Sequence, residues 1–80
     1  MTIKLTAFGI AKDIIGSRQM DWEIEDGTDI AQLKQQLISK FPAFAELASL
    51  SFAVRQEYQN DDFSLSGNEE VVIIPPVAGG

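Results

Sequence analysis

The residues of this chain best placed to do chemistry are its last six, Pro75-Pro76-Val77-Ala78-Gly79-Gly80. A double proline cannot continue a β-ladder and holds the backbone extended, so the four residues after it are expected to project as a thin, mobile tail. Extended at about 3.3–3.6 Å per residue, they would reach roughly 13–14 Å past Pro76. Glycine has no Cβ, so Gly79 and Gly80 would pass a narrow channel and let catalytic groups approach the backbone closely. The chemistry open to such a tail is group transfer at the carboxyl group of Gly80. A free carboxylate is a poor acyl donor, because its charge repels nucleophiles and its leaving group is oxide. Conversion to an acyl-adenylate by an activating enzyme removes both obstacles, after which a sulfur or amine nucleophile attacks. Taken alone, a closing Gly-Gly reads equally as a frayed end.

No side chain competes with the tail for this role. The 80 residues include no cysteine and no histidine, which excludes thiolate zinc sites, cysteine nucleophiles, imidazole bases and Ser-His triads within the chain. Glu69 and Glu70 are adjacent on a turn, so they point apart and do not form a catalytic carboxylate pair. No catalytic residue and no metal ligand is therefore assigned. Twelve acidic residues against six basic ones give a net charge of −6, the wrong sign for phosphate contacts with nucleic acid. No apolar run approaches the ~18 residues that span a bilayer, and Met1-Thr2-Ile3-Lys4 lacks the plan of a signal peptide. The expectation is a soluble, cytoplasmic domain. With 45% hydrophobic residues it has enough for one compact core and no room for a second.

The elements that must carry the tail are legible from periodicity. Ile3-Lys4-Leu5-Thr6-Ala7-Phe8 alternates as a strand with Ile3, Leu5 and Ala7 inward. Phe8 then falls on the polar face with Lys4 and Thr6, where an aromatic anchor for a partner or a residue covered by the next turn is expected. Ile10 to Ile15 reads as a short helical turn ended by Gly16. Met20 to Glu25 is a half-buried strand, with Met20, Trp22 and Ile24 inward and the acids Asp21, Glu23 and Glu25 outward. That acidic stripe is a solvated face or the complement of a basic partner. Thr28 is the expected N-cap of a helix in which Ile30, Leu33, Leu37 and Ile38 recur at helical spacing before Pro42 stops it. A second short helix is expected over Ala43 to Ser49, with Phe44 and Leu47 inward, then a strand from Ser51 to Tyr58. Phe63 and Leu65 pin a short connection. Val71-Val72-Ile73-Ile74 has no alternation and reads as a central strand buried on both faces. The class is α+β in the order β-β-α-β-β, a mixed sheet with one main helix across it: a domain over residues 1–76 and a tail over 77–80.

This order with a protruding Gly-Gly resembles the ubiquitin-like β-grasp sulfur carriers, the MoaD/ThiS family. Within them, Leu65-x-x-Asn68-Glu69-Glu70-Val71-Val72-Ile73-Ile74-Pro75-Pro76-Val77-Ala78-Gly79-Gly80 is similar to the end of the molybdopterin synthase small subunits. Phe8-x-x-Ala11-Lys12-Asp13-x-x-Gly16 is similar to their opening, where Ala-Arg-Glu is frequent. There are two departures. Asn68 stands where the family has glycine before its last strand, a position Asn also tolerates in the left-handed conformation. Arg55 stands at a frequent asparagine.

The resemblance implies a cycle. An E1-like adenylyltransferase (MoeB type) activates Gly80 with ATP, and sulfur from a desulfurase system converts it to a thiocarboxylate. Val77, Ala78, Gly79 and Gly80 then insert into a large synthase subunit (MoaE type) that transfers the sulfur to cyclic pyranopterin monophosphate. Two transfers build the molybdopterin dithiolene. The implied assembly is a heterotetramer of two small and two large subunits. The chain itself binds no cofactor, since ATP is used by its partner. The implied interface residues are Phe8, Lys12, Ile74, Pro75 and Pro76. The alternatives are a carrier for thiamine or amino-acid synthesis, a ubiquitin-like protein modifier, and a β-grasp interaction module with an idle tail.

Overall fold

Alternation in the first strand is realised residue by residue. In the computed structural model, which describes residues 1–47 and 49–76, β1 (Thr2–Ala7) buries Ile3, Leu5 and Ala7 almost completely. The tail expected at Val77, Ala78, Gly79 and Gly80 lies outside the described residues. α1 (Gly9–Ile15) follows and ends at Gly16, whose φ of 83° is the left-handed cap predicted for it. β2 (Gln19–Glu23) returns antiparallel to β1 with Ile3 opposite Trp22 and Leu5 opposite Met20. It is shorter than the expected Met20–Glu25. Ile24 is nonetheless buried, and its N–H and C=O exchange hydrogen bonds with Met1 at 2.7 and 2.8 Å.

The main helix, α2 (Ile30–Lys40), buries Ile30, Leu33 and Leu37. Its N-cap is Asp29, one residue beyond the expected Thr28. The Asp29 carboxylate accepts from the Gln32 N–H at 2.8 Å, and the Gln32 side chain accepts from the Asp29 N–H at 3.0 Å, a complete capping box. Thr28 closes the preceding turn instead, donating its hydroxyl to the Glu25 carbonyl at 2.7 Å. The remaining N-terminal donors are met from the loop before the last strand. Ile30 N–H reaches the Phe63 carbonyl at 3.1 Å and Ala31 N–H the Asp61 carbonyl at 3.0 Å. Phe63 and Leu65 thus pin this connection as expected, with Leu65 buried.

After α2, a 3₁₀ turn (Pro42–Glu46) replaces the expected short helix and buries Phe44. The single strand expected from Ser51 to Tyr58 is a hairpin. β3 (Ser51–Val54) and β4 (Glu57–Gln59) pair antiparallel across Arg55-Gln56, whose φ values of 56° and 69° define a two-residue turn of type I′. This gives Arg55 a place: it occupies the left-handed position where asparagine is favoured. β5 (Glu70–Ile74) is preceded by Gly67 and Asn68 at φ 89° and 59°, so the turn keeps its left-handed residues.

The sheet order is β2-β1-β5-β3-β4, with β5 parallel to β1 and antiparallel to β3. β5 is central, as expected, but it is not buried on both faces. Val71 and Ile73 are fully covered while Val72 and Ile74 are half-buried. The reason is that Ala11, Ile30, Leu33, Leu37 and Phe44 all join the core built on Ile3, Leu5, Val71 and Ile73. The helices cover one face and leave the other without a second layer among the described residues.

Two stability predictions follow from these turns. Asp29→Ala removes the cap and is expected to cost about 1 kcal/mol, read as a lower midpoint in urea with an unchanged slope. Arg55→Asn relieves part of a left-handed penalty of roughly 1–2 kcal/mol and should raise the thermal midpoint by a few degrees; a lower midpoint would contradict the turn.

Candidate docking face and tail exit

Strand parity decides what the uncovered face carries. The residues of β1, β5 and β3 that point away from the core are Lys4 and Thr6, then Glu70, Val72 and Ile74, then Ser51 and Ala53. The register aligns them: Lys4 with Glu70, Thr6 with Val72, Ala53 with Val72 and Ser51 with Ile74. β4 adds Tyr58 opposite Ala53, and β2 adds Asp21 opposite Lys4 and Gln19 opposite Thr6. Phe8 lies one residue past the Ala7–Ile73 pair with an extended backbone, φ −130° and ψ 159°. The continued register sets it beside Ile74, on the same outer face.

The predicted interface residues Phe8 and Ile74 are therefore neighbours, at the end of β5 from which Pro75 and Pro76 leave. Phe8 is 46% exposed, with the Arg18 guanidinium 5.4 Å from its ring centroid. Ile74, Pro75 and Pro76 are half-buried. Lys12 is exposed in α1, where its N–H meets the Phe8 carbonyl. It borders this end of the face together with Arg18, which accepts from the Ala7 N–H at 2.8 Å. The predicted residues of the tail proper, Val77 to Gly80, lie outside the described residues.

Sequence reasoning missed Tyr58, Val72 and Ala53 as members of this face. Tyr58 is 70% exposed, the largest such value among the exposed large hydrophobics. In a continuous strand Tyr58 would share the Phe52–Val54 side; the two-residue turn moves it opposite Ala53, onto the outer side. Nothing but the left-handed pair Arg55-Gln56 signals that change, and neither residue is a usual turn former. The result is an apolar strip of Phe8, Ile74, Val72, Ala53 and Tyr58 beside the exit of the chain. Strips of this kind, with aromatic members on a flat sheet, suit protein–protein contact.

The other polar residues are structural. Glu69 is buried and accepts from the Ser66 and Gly67 N–H groups at 2.8 and 3.1 Å, bracing the turn before β5. Glu70 points to the outer face, so the two carboxylates do diverge. Trp22 packs against the core as expected, with its indole N–H donating to Gln36 at 3.0 Å and Lys40 5.7 Å from its ring. A hollow of about 640 Å³ between β2 and α2 is lined mainly by the acids Glu23 and Glu25 and the amides Gln32, Gln35 and Gln36, and the hydroxyl of Thr28 beside them is committed to the Glu25 carbonyl. Among the described residues no three side chains are grouped to hold a metal ion, and no helix is long and apolar enough to cross a membrane. What the described residues offer is an apolar sheet face beside the end of β5.

Comparison with known proteins bears on what docks. The model of the ThiS family matches residues 5–80. A molybdopterin synthase sulfur carrier subunit of Caenorhabditis briggsae is 34% identical, the match covering all of this chain and 99% of that protein. A protein of the same name from Chlamydomonas reinhardtii is also 34% identical, with both chains fully covered. Among solved structures, SAMP1 of Haloferax volcanii superposes with a TM-score of 0.82 at 16% identity over the whole of both chains. The complex of subunits 1 and 2 of the molybdopterin-converting factor from Helicobacter pylori gives 0.67 at 21% identity, again with full coverage of both chains. These neighbours share the ubiquitin-like β-grasp fold. With its family model running through Gly80 and relatives that match over their whole length, the chain belongs to the ThiS family.

Proposed function

We propose that this chain is the sulfur-carrying small subunit of a molybdopterin synthase, and that its reactive group is the carboxyl of Gly80. The observation that carries the reading is the full-length likeness to sulfur carrier subunits of that synthase, in a chain whose own side chains include no cysteine or histidine. The chemistry then belongs to the backbone. An E1-like activating enzyme uses ATP to join AMP to the Gly80 carboxylate, releasing pyrophosphate. A persulfide of a desulfurase system attacks the acyl carbon and displaces AMP, and a thiol then cleaves the acyl disulfide, forming a new disulfide and leaving the thiocarboxylate. Gly79 and Gly80 have no Cβ to hinder close approach of the partner's catalytic groups, and the double proline cannot continue the β-ladder.

The large subunit supplies catalysis, and this chain is a co-substrate of the reaction in the cytoplasm, not a catalyst alone. Docking uses the strip of Phe8, Ile74, Val72 and Tyr58, with Lys12 and Arg18 at its border. Two deliveries make one dithiolene, and the spent carboxylate returns for recharging. A heterotetramer of two small and two large subunits places one tail at each site.

Mass spectrometry tests the chemistry. After incubation with the activating enzyme, ATP and a sulfur source, one oxygen at Gly80 is expected to be replaced by sulfur. A chain lacking Gly80 should fold identically and fail to acquire it. Molybdopterin formation by the truncated chain would overturn the reading, and lysine-linked adducts that survive denaturation would point to a protein modifier. For docking, Ile74→Asp is expected to weaken the complex with the large subunit at least about tenfold, because it buries an unpaired charge in the strip. An unchanged affinity, with the fold verified by circular dichroism, would remove this face from the interface.

A further inference from the structure

The outer face is polarised, and at its far end two carboxylates accept from threonine hydroxyls at 2.7 Å, Glu23 from the half-buried Thr2 and Glu70 from the nearly buried Thr6. Near the exit of the chain lie Phe8, Ile74 and Val72, with Lys12 and Arg18. At the other end lie Lys4, Asp21, Glu23 and Glu70, set together by the pairings Lys4–Asp21, Lys4–Glu70 and Thr2–Glu23. Glu70 is exposed, yet its Oε2 accepts from the Thr6 hydroxyl at 2.7 Å and faces the Gln19 amide at 3.4 Å. Thr6 is only 4% exposed, so a nearly buried hydroxyl is committed to orienting a surface carboxylate. Both donors are neutral. Among the described residues the only ion pair within 4 Å is Lys34–Asp61, so Lys4 does not neutralise Glu70. Among the described residues Glu70 has no ion-pair partner and its Oε1 accepts no hydrogen bond, while the Thr6 hydroxyl restricts the rotation of the carboxylate.

We propose that Glu70 is a fixed anchor for a cationic side chain of the docking partner, best met by an arginine guanidinium. This rests on the docking reading above and deepens it. Apolar contact is non-directional, so the strip of Phe8, Val72 and Ile74 by itself lets a partner slide along β5. A charge-assisted pair with a guanidinium is directional and is often bidentate. Ile74 lies four positions after Glu70, about 13 Å along the strand. The anchor thereby sets the partner at one position along β5 and, with it, the depth to which the tail enters. Orientation in advance is what makes the contact effective, since ordering a flexible side chain on binding would otherwise oppose association.

The test measures affinity of the intact chain for the large molybdopterin synthase subunit of the same organism, at low and moderate salt, and single-turnover sulfur transfer from the thiocarboxylated chain. Glu70→Gln keeps an acceptor for Thr6 but loses the charge; it should weaken binding at least about tenfold and flatten the salt dependence. Thr6→Val keeps the charge but frees it, and should weaken binding by about threefold while the salt dependence persists. Thermal midpoints measured in parallel separate this from loss of the Thr6–Glu70 contact as a structural pair, which would lower stability without changing affinity. If Ile74→Asp abolishes binding while Glu70→Gln binds within twofold of the parent, the anchor is wrong and the docking face stands. If Ile74→Asp also binds normally, the docking reading fails and the anchor with it.

Discussion

The parallel pairing of β1 with β5 at the centre of the sheet is the constraint from which the rest of this structure follows. It joins the two ends of the chain, Leu5 against Val71 and Ala7 against Ile73, and everything between them has to be threaded as a crossover. The ladder is extended beyond the strands by Lys4 N–H to the Glu69 carbonyl and Asn68 N–H to the Thr2 carbonyl, both at 2.9 Å. Side chains alternate with a period of two, so a slip of one residue would exchange the faces of β5. Ile3, Leu5, Val71 and Ile73 resist that slip because each is buried to within 1%. The same register sets Ile74 beside Phe8 and sends Pro75 and Pro76 off the end that Lys12 and Arg18 border.

The crossover is closed by a set of hydrogen bonds that accounts for the exposed amides at the start of α2. Asp29 and Gln32 satisfy one another's backbone, and Phe63 and Asp61 satisfy Ile30 and Ala31. A helix end tied in this way locks the loop that leads into β5 to the helix lying across the sheet. Glu69, buried against the Ser66 and Gly67 N–H groups, secures the last turn before the strand. A domain of this length has helices for one face only. The opposite face is left partly apolar, and that is the surface proposed above for docking.

Much of this could be read from residue order. The alternation of Ile3, Leu5 and Ala7, the spacing of Ile30, Leu33 and Leu37, and glycine at position 16 are local signals for local geometry, and each is met. The misplacements have physical causes of the same scale. Thr28 and Asp29 are both capping residues, and only the partner at Gln32 selects between them. Arg55 and Gln56 adopt left-handed backbone without the asparagine or glycine that would announce it, so a hairpin reads as a strand and Tyr58 is lost from the candidate face. Val72 and Ile74 look like core because hydrophobicity records a wish to be covered, whereas cover is provided by whichever helices exist.

What the amino-acid sequence by itself determined is which groups are available for chemistry. With no thiol and no imidazole in the chain and glycine at positions 79 and 80, the proposed reactive group is read from covalent structure, which does not depend on how the chain folds. The tertiary structure decided the surface proposed for docking. Which side of β5 stays open, which residues stand beside Phe8, and that Thr6 holds Glu70 across 64 positions of sequence are consequences of strand register and one-sided helix packing. Such relations exist only between residues far apart in the chain, and no local pattern encodes them.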